Sequence, residues 1–147
     1  MTTYTIPSTA RYPMFRGDQA IEFVDKKVPE PGAGQLLIRC TANALCASDF
    51  GQYYHGATIT PGHEGVGVVA HAGLNTTTVV GTAGAIFLMD FCGDCRSCRL
   101  GITNQCLNKR ADYGFSHDGG YGPYALVNEN VFFPVGADMD PAEATLL

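Results

Sequence analysis

Four closely spaced cysteines are the strongest chemical signal in the sequence. They follow the pattern C-x2-C-x2-C-x7-C as Cys92, Cys95, Cys98 and Cys106. Four thiolates on one short loop fill every position of a tetrahedral ion such as zinc and leave none open for a substrate. The spacing therefore predicts a structural zinc site, in a lobe at about residues 91–110.

Two other interpretations of this cluster stay open at the level of the sequence. The first three cysteines match part of the bacterial iron–sulfur pattern, although Cys106 follows at a wider spacing and Leu107 stands where that pattern has proline. A disulfide framework is the other possibility, and it fits poorly because the first residues lack a secretion signal. Zinc remains the prediction, and a visible absorption spectrum would separate it from iron.

A second group of metal-binding residue types lies upstream, at Cys46 and at His63-Glu64. A catalytic zinc typically has three protein ligands and keeps one position for water or substrate. Cys46 and His63 suit two of these places, and Glu64 is a candidate for the third. Neighbouring residues on an extended strand point to opposite faces, so whether Glu64 reaches the metal is left open. Asp49 suits a place behind the ligands, where it would orient the imidazole.

Each residue of this second group also has a simpler interpretation. A single cysteine such as Cys46 is most often a small buried apolar residue. A single histidine such as His63 is more often a hydrogen-bonded residue of the surface or core. Ser48 and Asp49 could cap a short helix that runs toward Tyr53. Two ligands 17 positions apart are a weak pattern on their own.

Short strands separated by turns must position both groups. The 18 glycines and 8 prolines favour many turns, and short strands with frequent turns suggest a mainly β barrel or sandwich. The predicted strands cover residues 20–28, 35–42, 65–72, 85–89, 121–127 and 131–135. Asp140 and Pro141 then suit the N-cap and the first position of a helix. The sequence ends within the second turn of this helix, on two leucines that have no evident partner to bury them. We therefore expect the protein to continue beyond Leu147.

Composition and charge exclude several classes of partner. The 147 residues suffice for one compact domain, and 46% of them are hydrophobic. A net charge of −5, without any cluster of lysine and arginine, argues against binding to nucleic acid. The apolar runs are too short to span a membrane. Without a secretion signal, the expected location is the cytoplasm.

Together, the motifs resemble the zinc-containing medium-chain dehydrogenase/reductase family, which includes alcohol, sorbitol and threonine dehydrogenases. The resemblance rests on Cys46-x-Ser48-Asp49, on Gly62-His63-Glu64 with Gly65, Gly67 and Gly73, on the four-cysteine lobe, and on Asp118-Gly119-Gly120 before Tyr124. It implies that residues 1–147 form a GroES-like, partly open β-barrel with a four-cysteine zinc lobe and short helices. It also implies that a Rossmann domain, which binds NAD or NADP, follows residue 147.

The function implied by this resemblance is that of a zinc-dependent NAD(P) alcohol or polyol dehydrogenase. Such an enzyme transfers a hydride between an alcohol or polyol and NAD(P), with zinc acting as a Lewis acid on the substrate oxygen. Cys46, His63 and Glu64 would hold the catalytic zinc, and family members supply a further ligand from just past the end of this chain. Ser48 would take the alcohol proton, and Asp49 would hold His63 in place.

The resemblance further implies a small-molecule alcohol, polyol or carbonyl substrate and, for the full-length protein, a homodimer or homotetramer. We expect the present chain alone to be inactive, because the cofactor site lies outside it. Gly51 stands where some alcohol dehydrogenases carry a relay histidine, and His55 is a candidate replacement. The alternative function is a non-enzymatic, zinc-stabilised binding module, which would hold one zinc and none at Cys46 and His63.

Overall fold

The computed structural model describes residues 4–147, and this part of the chain is built mainly from short antiparallel strands. Its nine strands are β1 (Thr9–Gly17), β2 (Ala20–Lys27), β3 (Gln35–Asn43), β4 (Gly65–Ala72), β5 (Ala83–Ile86), β6 (Met89–Asp90), β7 (Ala111–Asp112), β8 (Tyr124–Asn128) and β9 (Phe132–Pro134).

The helices are short. They are α1 (Asp49–His55), α2 (Arg96–Arg99) and α3 (Pro141–Ala144), with 3-10 turns at Thr103–Gln105 and Glu129–Val131. Within residues 4–147, no helix is long and apolar enough to cross a membrane.

The central sheet has five strands in the order β8-β3-β4-β5-β9, and every pairing in it is antiparallel. Successive side chains of a strand point to opposite faces, and β3 buries both of its faces. Leu36 and Ile38 lie in one core with Val69 and Val127, whereas Leu37 lies in a second core with Tyr12. Apolar residues on both sides therefore hold β3 and β4 at the centre of a partly open barrel, the mainly β architecture that the sequence predicts.

Strands β1 and β2 form a separate hairpin that supports helix α1. Its tight turn includes Asp18 and Gln19, both with positive φ, and their backbone N–H groups donate to the carbonyls of Tyr54 and Tyr53 at 3.0 and 3.1 Å. Strand β1 was not predicted from the sequence because Pro13 interrupts it. The proline is tolerated because β1 pairs with β2 alone, so its missing N–H removes no hydrogen bond on the unpaired side.

The other predicted strands are mostly confirmed, and β4 has the predicted bounds of 65–72. The prediction of one strand over 85–89 was wrong, since this run divides between β5 and β6. The chain changes pairing partner there: Phe87 N donates to Val131 O, and Leu88 O accepts from Tyr113 N. The predicted helix start is confirmed, with Asp140 Oδ1 accepting from Ala142 N at 2.8 Å.

Candidate metal centres

The pairing of β3 with β4 brings the two ligand-bearing segments of the second group together. Asn43, the last residue of β3, lies opposite Gly65, the first residue of β4. Cys46 follows the end of β3 by three residues, and His63 and Glu64 immediately precede β4. A separation of 17 positions in sequence is therefore a short distance in space.

Three potential ligand atoms converge at this point. One ligand atom each from Cys46, His63 and Glu64 lies within 4.8 Å of the other two. His63 and Glu64 lie in a bend before β4 and not on a strand, and Gly62 before them has φ 98°. This loop geometry removes the alternation of a strand, so the adjacent side chains of His63 and Glu64 can serve one site.

Asp49 lies directly behind the histidine. Its Oδ1 is 3.3 Å from His63 Nδ1, in a close electrostatic contact without hydrogen-bond alignment, and the two side chains are only 1% and 7% exposed. Asp49 Oδ2 accepts from Cys46 N at 3.0 Å. A carboxylate beside Nδ1 favours the tautomer with the proton on Nδ1, which leaves the Nε2 lone pair free for a metal.

Tyr121 also contacts Asp49, and sequence reasoning did not single it out. Its hydroxyl donates to Asp49 Oδ2 at 2.7 Å. Burial and, next, the hydrogen bond to Asp49 raise the pKa of Tyr121, so the hydroxyl stays a proton donor at neutral pH. The signal that could have found it is its position directly after Asp118-Gly119-Gly120.

Ser48 and Phe115 lie on the other side of the imidazole. Ser48 Oγ is 3.2 Å from His63 Nε2, and the serine is exposed. The Phe115 ring centre is 4.8 Å from that of His63. Gln52 Nε2 of α1 donates to Gly114 O at 2.7 Å and holds this loop against the helix. Phe115 was not predicted, because nothing in the sequence links it to the ligands.

A large open cavity adjoins the ligand group. It has a volume of about 670 Å³. His63 and Glu64 form part of its wall, together with Leu88, Phe133 and the terminal residues 144–147. Two of the three candidate ligands, His63 and Glu64, thus border an open cavity, as a site that takes part in chemistry requires.

Closely packed glycines fix the loop that carries His63. A Cβ at Gly62 would lie 2.7 Å from Tyr121 N, and a Cβ at Gly119 would collide with the Gly62 carbonyl. The backbones are in direct contact here, since Gly119 N donates to Thr60 O and Gly120 N donates to Gly62 O, at 2.7 and 2.8 Å. Glycine is required because any side chain would separate these segments.

The four cysteines of the lobe form a compact cluster. The Sγ atoms of Cys92, Cys95, Cys98 and Cys106 include pairs at 3.5, 3.6, 3.9 and 4.0 Å, and all four are free thiols. A tetrahedral zinc with Zn–S bonds of about 2.3 Å requires S–S separations of roughly 3.8 Å. The observed spacing fits a single ion, and the number of sulfurs leaves no position open.

Backbone N–H groups donate hydrogen bonds to sulfurs of this cluster and favour their thiolate form, which is the form that binds a cation. Cys95 N donates to Cys92 Sγ at 3.3 Å, and Leu107 N donates to Cys95 Sγ at 3.4 Å. Hydrogen bonds from the backbone of Cys98 and Leu107 lower the pKa of Cys95 to about 6. Desolvation raises the pKa of Cys98 to about 12. The Cys98 thiol therefore stays protonated at neutral pH unless a cation compensates the charge of its thiolate.

A buried carboxylate anchors the lobe to the barrel. Asp90 is fully buried and accepts from Arg110 Nη2 at 2.7 Å and from Asn130 Nδ2 at 3.1 Å. Asn128 Nδ2 is a further donor to it. Because Asp90 lies two residues before Cys92, these bonds fix the start of the cysteine loop.

Comparison with known proteins identifies the class of fold. Residues 32–137 match the alcohol dehydrogenase GroES-like domain. D-altritol 5-dehydrogenase of Agrobacterium fabrum is 35% identical over 134 residues, covering 80% of this chain and 39% of that protein. An alcohol dehydrogenase of Rhizobium meliloti is 32% identical over 133 residues, covering 81% and 38%.

Solved structures agree with this result. Acetophenone reductase of Geotrichum candidum, solved in complex with NAD, superposes with a TM-score of 0.86 at 28% identity, covering 97% of this chain and 45% of that one. The chain belongs to the family of alcohol dehydrogenase GroES-like domains, which confirms the resemblance seen in the sequence. It spans about two fifths of the length of the curated relatives that it matches.

Proposed function

We propose that this chain is the catalytic-domain part of a zinc-dependent oxidoreductase that transfers a hydride between an alcohol or polyol and NAD or NADP. The observation that carries the proposal is the convergence of Cys46, His63 and Glu64 within 4.8 Å, with His63 and Glu64 at the wall of an open cavity. Three protein ligands with an accessible position are typical of a catalytic zinc, whereas the closed four-cysteine group is typical of a structural one.

The donor sets suit zinc at both places. Thiolate, imidazole and carboxylate are its usual ligands in proteins, and Asp49 behind His63 gives the carboxylate–histidine arrangement of zinc sites. When bound between Cys46, His63 and Glu64, zinc would supply a Lewis acid for the substrate oxygen. At the lobe, zinc bound by Cys92, Cys95, Cys98 and Cys106 would hold the loop in its fold.

The residues around the site have separate roles in this proposal. Asp49 holds the His63 ring and, through Cys46 N, the backbone of the cysteine. Ser48 Oγ is exposed beside His63 Nε2, so its hydroxyl can accept a proton from a substrate alcohol and pass it on to water. The large cavity leaves room for a small alcohol or polyol and a nicotinamide ring.

The remaining parts of the proposal concern the whole protein. We propose that residues 1–147 are one catalytic domain with its zinc lobe at about 91–110, and that a Rossmann domain for NAD or NADP follows residue 147. The whole protein would form a homodimer or homotetramer. Six free thiols suit a reducing compartment, which supports a cytoplasmic location.

Metal analysis and turnover test the proposal. The purified chain should hold two zinc ions, and Cys46→Ser should hold one. The whole protein should oxidise simple alcohols or polyols with NAD or NADP, and this chain alone should not. One zinc in both the wild type and Cys46→Ser would favour the binding module. Turnover by residues 1–147 alone would contradict the assignment of the cofactor site to another domain.

A further inference from the structure

Tyr121 lies between the two segments that carry the second group of ligands. Its backbone N–H donates to Pro61 O at 3.1 Å, next to the loop of His63. Its ring packs so closely on that loop that a Cβ at Gly62 would lie 2.8 Å from Tyr121 Cγ. Its hydroxyl reaches the other segment, at Asp49 and Ala44.

The hydroxyl has one proton, and the distances show where it goes. Asp49 Oδ2 is 2.7 Å from Tyr121 Oη, whereas Ala44 O is 3.4 Å away. The short bond is to the carboxylate, and hydrogen bonds to a charged acceptor are the stronger ones. Asp49 Oδ2 thus has two donors, Tyr121 Oη and Cys46 N, and this fixes the rotation of the carboxyl group.

The fixed rotation matters because the second oxygen of Asp49 faces the histidine. With Oδ2 held on one side, Oδ1 lies 3.3 Å from His63 Nδ1 and has no hydrogen-bond donor of its own. A carboxylate that is 1% exposed has almost no water to replace a lost donor. Without the Tyr121 hydroxyl, Oδ2 would keep Cys46 N as a donor but lose its shorter hydrogen bond, so the carboxyl group would be held less firmly in its orientation toward the imidazole.

We propose that Tyr121 is a positioning residue for the second metal site, acting through Asp49 to hold the His63 ring in the orientation that binds the metal. The proposal rests on the proposed function, since it assumes that Cys46, His63 and Glu64 bind zinc. Tyr121 is not one of the candidate ligands and its hydroxyl donates to Asp49, so its contribution is to metal affinity and to the geometry of the site.

The test is Tyr121→Phe, which keeps the ring and its packing on Gly62. Zinc affinity is measured on residues 1–147 by competition with a chromophoric chelator. We expect the affinity of the second site to fall about tenfold, the lower end of the range for residues that support metal ligands, because Tyr121 acts through an intermediate group. The four-cysteine site should keep its affinity.

Cobalt gives a readout that a general loss of stability would not produce. Co²⁺ is added to the chain after zinc has filled the four-cysteine site, and the visible bands of the second site are recorded. The bands should shift or broaden in Tyr121→Phe. In an Asp49→Asn background, the same substitution should have a much smaller effect on zinc affinity, since the residue through which Tyr121 acts is already changed.

Tyr12→Phe is the matched control. The Tyr12 hydroxyl is buried without a hydrogen-bond partner, so its removal leaves no donor or acceptor behind, and both metal affinities should stay at the wild-type values. If Tyr121→Phe binds zinc and cobalt as the wild type does, the proposal is overturned while the metal site stands. If the wild type has no second metal-binding step at all, the proposed function is overturned, and this inference with it.

Discussion

The Asp49 carboxylate and the His63 imidazole face each other at 3.3 Å, and both are almost completely buried. They come from segments on opposite sides of a strand pairing, so the contact exists only in the folded barrel. A carboxylate beside Nδ1 favours the tautomer with the proton on that nitrogen, which leaves Nε2 as the ring nitrogen available to a metal. The pair therefore links the fold to the chemistry of the site.

Replacing Asp49 should weaken the second metal site without affecting the first. In Asp49→Asn, a neutral amide replaces the charge that favours a proton on His63 Nδ1. Zinc affinity at Cys46, His63 and Glu64 should fall by roughly 10- to 100-fold. Chelator competition measures it. Asp25→Asn is the same chemical change at a residue of β2 that belongs to neither ligand group, and it should leave both affinities unaltered. An equal loss in the two variants would contradict a specific role for Asp49.

Removing one lobe cysteine should cost one zinc ion and the structure of the lobe. Cys98→Ser leaves three thiolates, and because metal binding stabilises the folded loop, its loss should make residues 91–110 sensitive to protease. Metal analysis and limited proteolysis check this. Cys40→Ala, which changes a thiol that belongs to neither ligand group, should keep both ions. Retention of full zinc in Cys98→Ser would argue against a four-cysteine site.

The glycine contact at the His63 loop should not tolerate a methyl group. In Gly119→Ala, the new Cβ would collide with the Gly62 carbonyl and lie 2.7 Å from Gly114 Cα, so the loop must move. We expect a loss of about 1–3 kcal/mol in the free energy of unfolding, and weaker metal binding at His63. Gly51→Ala is the counterpart. No atom lies within 4 Å of its added Cβ, and alanine in α1 should stabilise by about 0.5–1 kcal/mol. Urea denaturation of the wild type and both variants measures the change in the free energy of unfolding, which should have opposite signs in the two variants.

Glu129 should make stability depend on pH in the acidic range. Its Oε1 accepts from Thr77 N and Thr78 N at 2.8 and 2.6 Å. Desolvation acts to raise the pKa of Glu129, but hydrogen bonds from Thr78 and Thr77 lower it below the ordinary value of 4.5. The charged form is therefore favoured by folding, and its contribution is complete above that value and lost as the pH falls through the lower folded-state pKa.

The comparison of wild type with Glu129→Gln measures this contribution. The wild type should be more stable at pH 7, by less than about 1 kcal/mol because solvent screens this charge, and the difference should shrink steadily below pH 4.5. Thr78→Ala removes only its own hydroxyl, which donates to Glu129 Oε1, so at pH 7 it should lower the free energy of unfolding by less than Glu129→Gln does. A difference that is constant between pH 7 and the acidic range would show that the charge of Glu129 does not matter.

The ligand types could be predicted from the sequence, but their convergence could not. Cysteine spacing alone locates the lobe, because its ligands are close in the chain. Cys46 and His63 are 17 positions apart, and only the Asn43–Gly65 pairing shows that they meet. The sequence did not decide whether Glu64 is a ligand, because on a strand its side chain would point away from that of His63. The two residues lie instead in a bend after Gly62, where both side chains can face one site. Tyr121 and Phe115 contact the site from a distant segment, which no local pattern reveals.

The strands show the same division between local and long-range information. β4 was predicted with its observed bounds because its residues, apart from His71, are all apolar or glycine. The run at 85–89 is equally apolar, but its backbone changes hydrogen-bonding partner at Phe87. Hydrophobicity alone does not show which segments a strand pairs with. Strand β1 was missed because it contains Pro13. The sequence does not show that β1 pairs on one side only, where a proline is tolerated.

The two-residue strands β6 and β7 have a consequence for how the zinc lobe is connected. Met89 pairs with Asp112 and Asp90 with Ala111, so the chain leaves the barrel and returns to it at one narrow neck. We therefore expect that residues 91–110 can be shortened or exchanged for another loop while the strand pairing of the barrel is kept.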